Sequence, residues 1–422
     1  MFKRSLISAI DQAVVSGLNF GIGLVLIATV SKPEYGLYVQ LFATGVLLNA
    51  LTDALVGNAI TNRLAREGSD QLQTLLQEGR SVVPRIAMVL ALVAGVLAWW
   101  LSKSEGDLTH SVTVASAFAL YAGTLVIRDF LRTQFHLQEK PQHVLFLDML
   151  YAACVLALGG TVYFLYELSV PTVYLLMALA NFISQFQSHR IYPIHAKLNP
   201  ASFKWLNLLS QYWQYTSWAV VGVLIGWVAN NLFIFASAEI LGLQATAELN
   251  AARLLLMPLT LIGVAWGQSS RARLAILVQQ RFLTELLQFL KKSGALLFMV
   301  CMAYGICLIF AFPYLSQIQA FKKYKDLNHL IIWWLPYMLL FLAKFMGTVT
   351  LAMMEIYRPM VIMTFASLCL QMGLLIAIPH DIHGAQSVIW CLMGAESFEL
   401  MVMWLYLMPK AFKTKGFLKH AG

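Results

Sequence analysis

Charge is scarce in this chain. Asp, Glu, Lys and Arg make up 12% of its 422 residues while 59% are hydrophobic, and such a chain cannot close into a water-soluble globule without exposing large apolar patches. Lipid is therefore the expected solvent. Cysteine is sparse too: Cys154, Cys301, Cys307, Cys369 and Cys391 are odd in number and all fall in apolar runs. They read as small packing residues, not as a disulfide or zinc framework. The chain lacks GxxxxGK[ST], HExxH and GxSxG patterns and any clustered His/Cys spacing, and Gly21 and Gly23 do not complete GxGxxG. ATP hydrolysis by this chain is excluded, and no enzyme activity, metal or cofactor is expected. Acidic residues are fewer than basic ones, giving a formal charge of +9. A nucleic-acid role is not expected, because no soluble domain exists to carry it and membrane topology accounts for most of the excess.

What the chain has in abundance is long apolar runs. Twelve can be drawn, at 10–30, 35–60, 82–101, 109–131, 144–166, 170–189, 213–236, 244–266, 293–313, 329–354, 359–379 and 384–408; about 20 residues suffice for a helix to cross the hydrocarbon layer. They lack the alternation of barrel strands, so their backbone amides must bond within helices. The spacing predicts an all-α polytopic membrane protein. Of the 29 Lys and Arg, 22 fall in alternate gaps that include both chain ends or, as Arg85 and Arg128 do, within four residues of such a gap; five fall in the other gaps, and two, Arg253 and Lys344, lie deep inside runs. Basic residues stay on the cytoplasmic side, which predicts a multi-pass protein with N- and C-termini cytoplasmic. Asp11 and Gln12 interrupt the first run, so a cleaved signal peptide is not expected.

The longest basic gaps, 61–81, 190–212 and 267–292, divide the runs into two sets of six. Arg63-Leu64-Ala65 recurs as Arg273-Leu274-Ala275, and Lys140-Pro141 as Arg358-Pro359, at offsets of 210 and 218. Runs an even number apart point the same way, so the halves are parallel repeats, pseudo-symmetric lobes at 1–200 and 201–422. Each Arg-Leu-Ala precedes an amphipathic stretch, one with Leu72, Leu75 and Leu76, the other with Leu283, Leu286, Leu287 and Leu290. These stretches are expected on the inner leaflet, with a solvated loop helix as the alternative.

An ionisable group inside a bilayer is a functional candidate because burying it is costly. Arg253 and Lys344 lie in one lobe and invite an anionic ligand; alternatively Glu396 and Glu399, three residues apart on one helical face, neutralise them. In the first lobe Asp11, Asn19, Asp53, Asn58, Asn181 and Gln185 interrupt apolar runs. The acids could carry a coupling proton, or acids and amides could serve as interhelical hydrogen bonds. Arg128 and Arg132, one turn apart, could reach a phosphate at the inner surface, or pair with Asp129 or Asp148.

Three segments also resemble a known family. Asp11-Gln12-Ala13 with Asn19-Phe20 and Glu34-Tyr35-Gly36-Leu37-Tyr38, Arg128-Asp129-Phe130 with Arg132 and Asp148, and Trp213 to Trp218 with Asn230-Asn231 and Ala251-Ala252-Arg253-Leu254 are similar to the polysaccharide and O-antigen flippases of the multidrug/oligosaccharidyl-lipid/polysaccharide (MOP) superfamily. Asp129 departs from the Glu common there, and Leu131 stands where a further Arg is common. The resemblance implies two six-helix lobes around a central cavity, working by alternating access. It also implies an undecaprenyl-pyrophosphate-linked oligosaccharide moved across the bacterial inner membrane.

On that expectation Arg253 and Lys344 meet the pyrophosphate, Asn230 or Asn231 bonds sugar hydroxyls, and Arg128 and Arg132 act at the cytoplasmic mouth. Asp11, Asp53, Glu396 and Glu399 are then ion-coupling or charge-compensating. The partners would be membrane lipids, the lipid-linked glycan, and glycosyltransferases with a polysaccharide polymerase. One rival is a drug/cation antiporter of the same superfamily that works through Asp11 and Asp53. Another is a non-transporting scaffold for glycan assembly. A major-facilitator sugar permease lacks support, because the gap after the second run has no short Gly/Asp/Arg-rich signature.

Overall fold

In lipid every backbone N–H and C=O must be satisfied inside its own segment, and the chain complies by becoming helix nearly throughout. The computed structural model describes residues 2–67, 69–103, 107–191, 205–318, 321–324, 327–379 and 384–414. The helices are α1 (Phe2–Thr29), α2 (Lys32–Thr52), α3 (Asn58–Glu67), α4 (Leu72–Ser102), α5 (Leu108–Leu137), α6 (Pro141–Leu165), α7 (Val170–Ile191) and α8 (Trp205–Leu241). They continue as α9 (Leu243–Leu255), α10 (Met257–Gln279), α11 (Leu283–Leu315), α12 (Leu327–Met353), α13 (Tyr357–Ala377), α14 (Ala385–Val402) and α15 (Met408–Thr414). Wide π-turns at Asp53–Gly57 and Met403–Leu407 join α2 to α3 and α14 to α15. No strand occurs among the described residues.

Ten of these segments are long and apolar enough to cross a membrane, and the pair α9 and α10, bent by 50°, makes an eleventh. The twelfth expected run is α7, 22 residues long, whose Asn181, Ser184, Gln185 and Ser188 are buried. The fold is thus the expected all-α polytopic one. Two expectations need correction. The eighth run is not straight: Pro258 has no N–H to bond the Leu254 carbonyl, so α9 stops at Leu255 and α10 restarts beyond Leu256. The amphipathic stretches are not separate surface helices. They are the opening turns of α4 and α11, with Leu75, Leu76, Leu286 and Leu290 buried, because their apolar face continues in phase with the run that follows.

The chain divides into two compact units, Met1–Leu224 and Ile225–Gly422. The expected 200/201 boundary falls in 192–204, outside the described residues. In the first unit α5 packs on α4, α7 and α2, around buried Tyr38, Phe118, Tyr121 and Tyr174 whose rings meet at centroid distances of 5.0–5.9 Å. Tyr174 donates its hydroxyl to the Tyr38 carbonyl (3.1 Å). Two starts are pinned: Ser31 caps α2 by accepting from the Glu34 N–H (3.3 Å), and Glu34 Oε1 accepts from the Val170 N–H (3.0 Å) at the start of α7, where a helix N-terminus favours an anion.

In the second unit α12 packs against α14, α10, α11 and α9. Its approach to α11 requires Gly305, because a β-carbon there would collide with the buried Leu335 side chain. Gly305→Ala should therefore lower the thermal midpoint of the detergent-solubilised protein, at a cost of about 1–3 kcal/mol for an overpacked core. Gly373→Ala, whose β-carbon would meet nothing within 4 Å and which replaces a helix-interior glycine, should leave the midpoint unchanged or raise it slightly.

Candidate functional site

Each unit buries its own cluster of charge. In the first, helical spacing puts Arg128 and Arg132 on one side of α5, facing Asp148 on α6 and Asp11 on α1. Arg128 Nη2 lies 2.6 Å from Asp148 Oδ1 and Arg132 Nε 2.9 Å from Asp148 Oδ2, so one carboxylate holds both guanidinium groups. Arg132 Nη2 also reaches Asp11 Oδ2 at 3.1 Å, and its Nη1 stands 3.7 Å from Asp129 Oδ1. Asp148 is fully buried and Arg128, 5% exposed, lies with its guanidinium carbon 3.8 Å over the Tyr151 ring.

Of the two sequence readings of this pair, ion pairing is the one the structure displays. Both arginines are engaged inside the first unit. Asn181 and Gln185 are likewise used between helices, donating to the Thr124 hydroxyl (3.4 Å) and the Thr124 carbonyl (2.7 Å). Asp53 is different. It is exposed, sits at the π-turn with its carboxylate against Gly57, and has no ion pair or hydrogen bond among the described residues. Such turns recur at functional positions in helices.

The second unit contains a cavity of about 250 Å³ between α8, α12, α13 and α14. Lys344 Nζ lies 2.7 Å from Glu396 Oε1 and 3.5 Å from Glu399 Oε2, and Thr364 donates its hydroxyl to Glu399 Oε1 (2.9 Å). The stacked rings of Phe341 and Phe345, 6.2 Å apart, form an apolar wall. Asn230 lines the cavity while its amide donates to the Gly226 carbonyl of its own helix (2.7 Å). Asn231 bonds the Trp227 carbonyl (2.9 Å) and is not in the lining.

Arg253 stands apart from this cavity, in the last turn of α9. There the terminal carbonyls favour a cation. Its guanidinium lies 5.1 Å from the Phe233 ring and 6.0 Å from the Trp334 ring, with Tyr337 also in electrostatic reach. Among the described residues it has no acidic partner.

Sequence reasoning overlooked Thr364, Ser367 and Gln371, which line the same cavity from α13. A signal was there: spaced three and four apart, they form a polar stripe down an otherwise apolar run.

No protein family's sequence pattern matches the chain, and no curated protein matches it in sequence. Solved structures do match. An inward-facing multidrug resistance MATE family transporter of the MOP superfamily superposes with a TM-score of 0.73 at 14% identity, over 97% of this chain and 96% of that one. An outward-facing MATE transporter gives 0.60 at 14%, over 99% and 96%. A MOP superfamily transporter from Pyrococcus furiosus, whose binding pocket of reverse polarity suggests a different function, gives 0.60 at 14%, over 97% and 95%. The chain has the fold of these MOP transporters.

The first cluster makes a direct stability prediction. Removing one partner of a buried ion pair costs about 3–5 kcal/mol, so Asp148→Ala, which strands two guanidinium groups, should sharply lower the thermal midpoint. Asp129→Ala, whose nearest pairing is long, should lower it far less.

Proposed function

We propose that this chain is an alternating-access transporter of the bacterial cytoplasmic membrane that flips a polyprenyl-pyrophosphate-linked oligosaccharide. The shared fold supports transport. The cargo is supported by one observation: Arg128, Arg132 and Lys344 are each neutralised by carboxylates within their own unit, whereas Arg253 has no acidic partner among the described residues. A cation at bilayer depth carries a cost of several kcal/mol. Its retention on an aromatic seat is explained by an anionic cargo group that it binds, and a guanidinium fits phosphate oxygens as a fork. Lys344, held by two carboxylates, is a weaker anion site than Arg253 on this reading.

The topology this requires, with both termini cytoplasmic, is the one the basic gaps favour, and the functional partners are the glycosyltransferases and polymerase that make and use the glycan. In cells dependent on this protein, Arg253→Ala should reduce outer-leaflet delivery of lipid-linked glycan at least tenfold, with the protein still inserted at normal levels. Lys344→Ala should reduce it less. Unimpaired delivery by both variants would refute the cationic site and leave the scaffold reading.

A second reading has its own observation. The first unit sets Asp11, Asp129 and Asp148 against two arginines, and Asp53 stands unpaired beyond them, a surplus of negative charge that suits cation antiport. Uptake of an organic cation into reconstituted vesicles driven by an imposed ion gradient, abolished by Asp53→Asn, would support the antiporter. No uptake is expected if the glycan reading holds.

A further inference from the structure

The cavity of the second unit is small. At about 250 Å³ it falls below the range of roughly 300–1,000 Å³ that takes drug-sized ligands, so it suits one ring of a cargo and not a whole oligosaccharide. Its charges are already spoken for: Lys344 holds Glu396 and Glu399, and Glu399 also has Thr364. One ammonium against two carboxylates leaves the lining with a single negative charge in surplus.

Two buried polar atoms of the lining have no hydrogen-bond partner among the described residues. They are the amide nitrogen of Gln371, a residue 3% exposed, and Oε2 of Glu396, 7% exposed, whose carboxylate otherwise has Lys344 and the neighbouring Tyr337 hydroxyl. A buried donor and a buried acceptor left unmade each cost about 1–3 kcal/mol. A hydroxyl group can serve both, accepting from the amide and donating to the carboxylate. The Phe341 and Phe345 rings beside them offer an apolar face for the C–H side of a ring that carries such hydroxyls.

We infer that this cavity is a monosaccharide subsite, which reads one sugar ring without an acid group, an amino sugar in preference to a neutral one, and rejects a uronate. This rests on the glycan-transport reading above and adds to it. Arg253 would meet the phosphate, while Gln371 and Glu396 select the sugar. The preference follows from the surplus charge: an ammonium neutralises it, whereas a carboxylate meets two others in a desolvated space, where like charges cost several kcal/mol.

The test is saturation-transfer NMR on the purified full-length protein in nanodiscs, with methyl glucoside, methyl glucosaminide and methyl glucuronide as probes. The glucosaminide should bind most tightly, the glucoside next, and the glucuronide at least about tenfold more weakly than the glucosaminide. Gln371→Leu, which removes the donor and keeps the bulk, should weaken the first two about tenfold. Wild-type protein that binds none of the probes, or binds the glucuronide best, overturns the subsite without needing any variant. Gln371→Leu protein that loses the probes yet delivers lipid-linked glycan normally also overturns it, and leaves the transport reading standing. Probe binding by a wild-type protein that delivers no glycan would instead overturn the transport reading.

Discussion

A charge placed inside hydrocarbon must find a counter-charge or a reason to do without one, and this constraint organises the whole structure. In the first unit it is met by Asp148, which bonds Arg128 and Arg132 together and so ties α5 to α6, with Asp11 adding α1 to the same knot. In the second it is met by Lys344, which joins α12 to α14 through Glu396 and Glu399. Each knot is built from side chains of its own unit. Together with interhelical hydrogen bonds such as those of Gln185 and Ser367, the ion pairs give direction to a packing that apolar side chains alone would leave loosely specified.

The same constraint isolates Arg253. Its surroundings soften the cost of its charge in two partial ways, through the carbonyl end of α9 and through the faces of Phe233 and Trp334. Neither cancels the charge as a carboxylate does. The bend that follows at Leu256 is secured by Tyr304, which donates to the Leu255 carbonyl (2.7 Å), so the residue sits on a fixed corner of the fold and not on a mobile one. On the proposed reading such a cation takes an anion without first having to give up a partner, which Lys344 would have to do.

Much of the fold was legible because lipid forces it. Runs such as 329–354 could only be helices, and α12 at Leu327–Met353 follows closely. What escaped was continuity and interruption. The stretches that begin at Leu72 and Leu283 read as surface segments because polar and charged residues interleave with their leucines, yet their apolar face runs in phase into α4 and α11. The break at Leu256 was legible in Pro258, read past because the flanking residues are apolar. The π-turn at Asp53–Gly57 leaves no such mark. At the sites, the charged residues announced themselves by their cost in lipid, and the pairs of Arg128 with Asp148 and of Lys344 with Glu396 stood among the alternatives; what sequence could not do was choose pairing over ligand binding, find Asp11 as a partner of Arg132, or leave Arg253 without a carboxylate. Gln371 was missed because the stripe it forms with Thr364 and Ser367 is uncharged and so carries little cost in lipid, until a cavity is seen beside it.

Whether Arg253 is an anion seat decides the cargo. The most direct measurement compares binding of a polyprenyl pyrophosphate and of the corresponding polyprenyl alcohol to the protein in nanodiscs, for the native chain and for Arg253→Met, which keeps an apolar stem of similar reach. The native protein should prefer the pyrophosphate by about a hundredfold or more, as expected for a charge-assisted pair in a desolvated setting, and Arg253→Met should lose most of that preference while binding the alcohol unchanged. Equal binding of the two lipids by the native protein, or a preference that survives Arg253→Met, would contradict it.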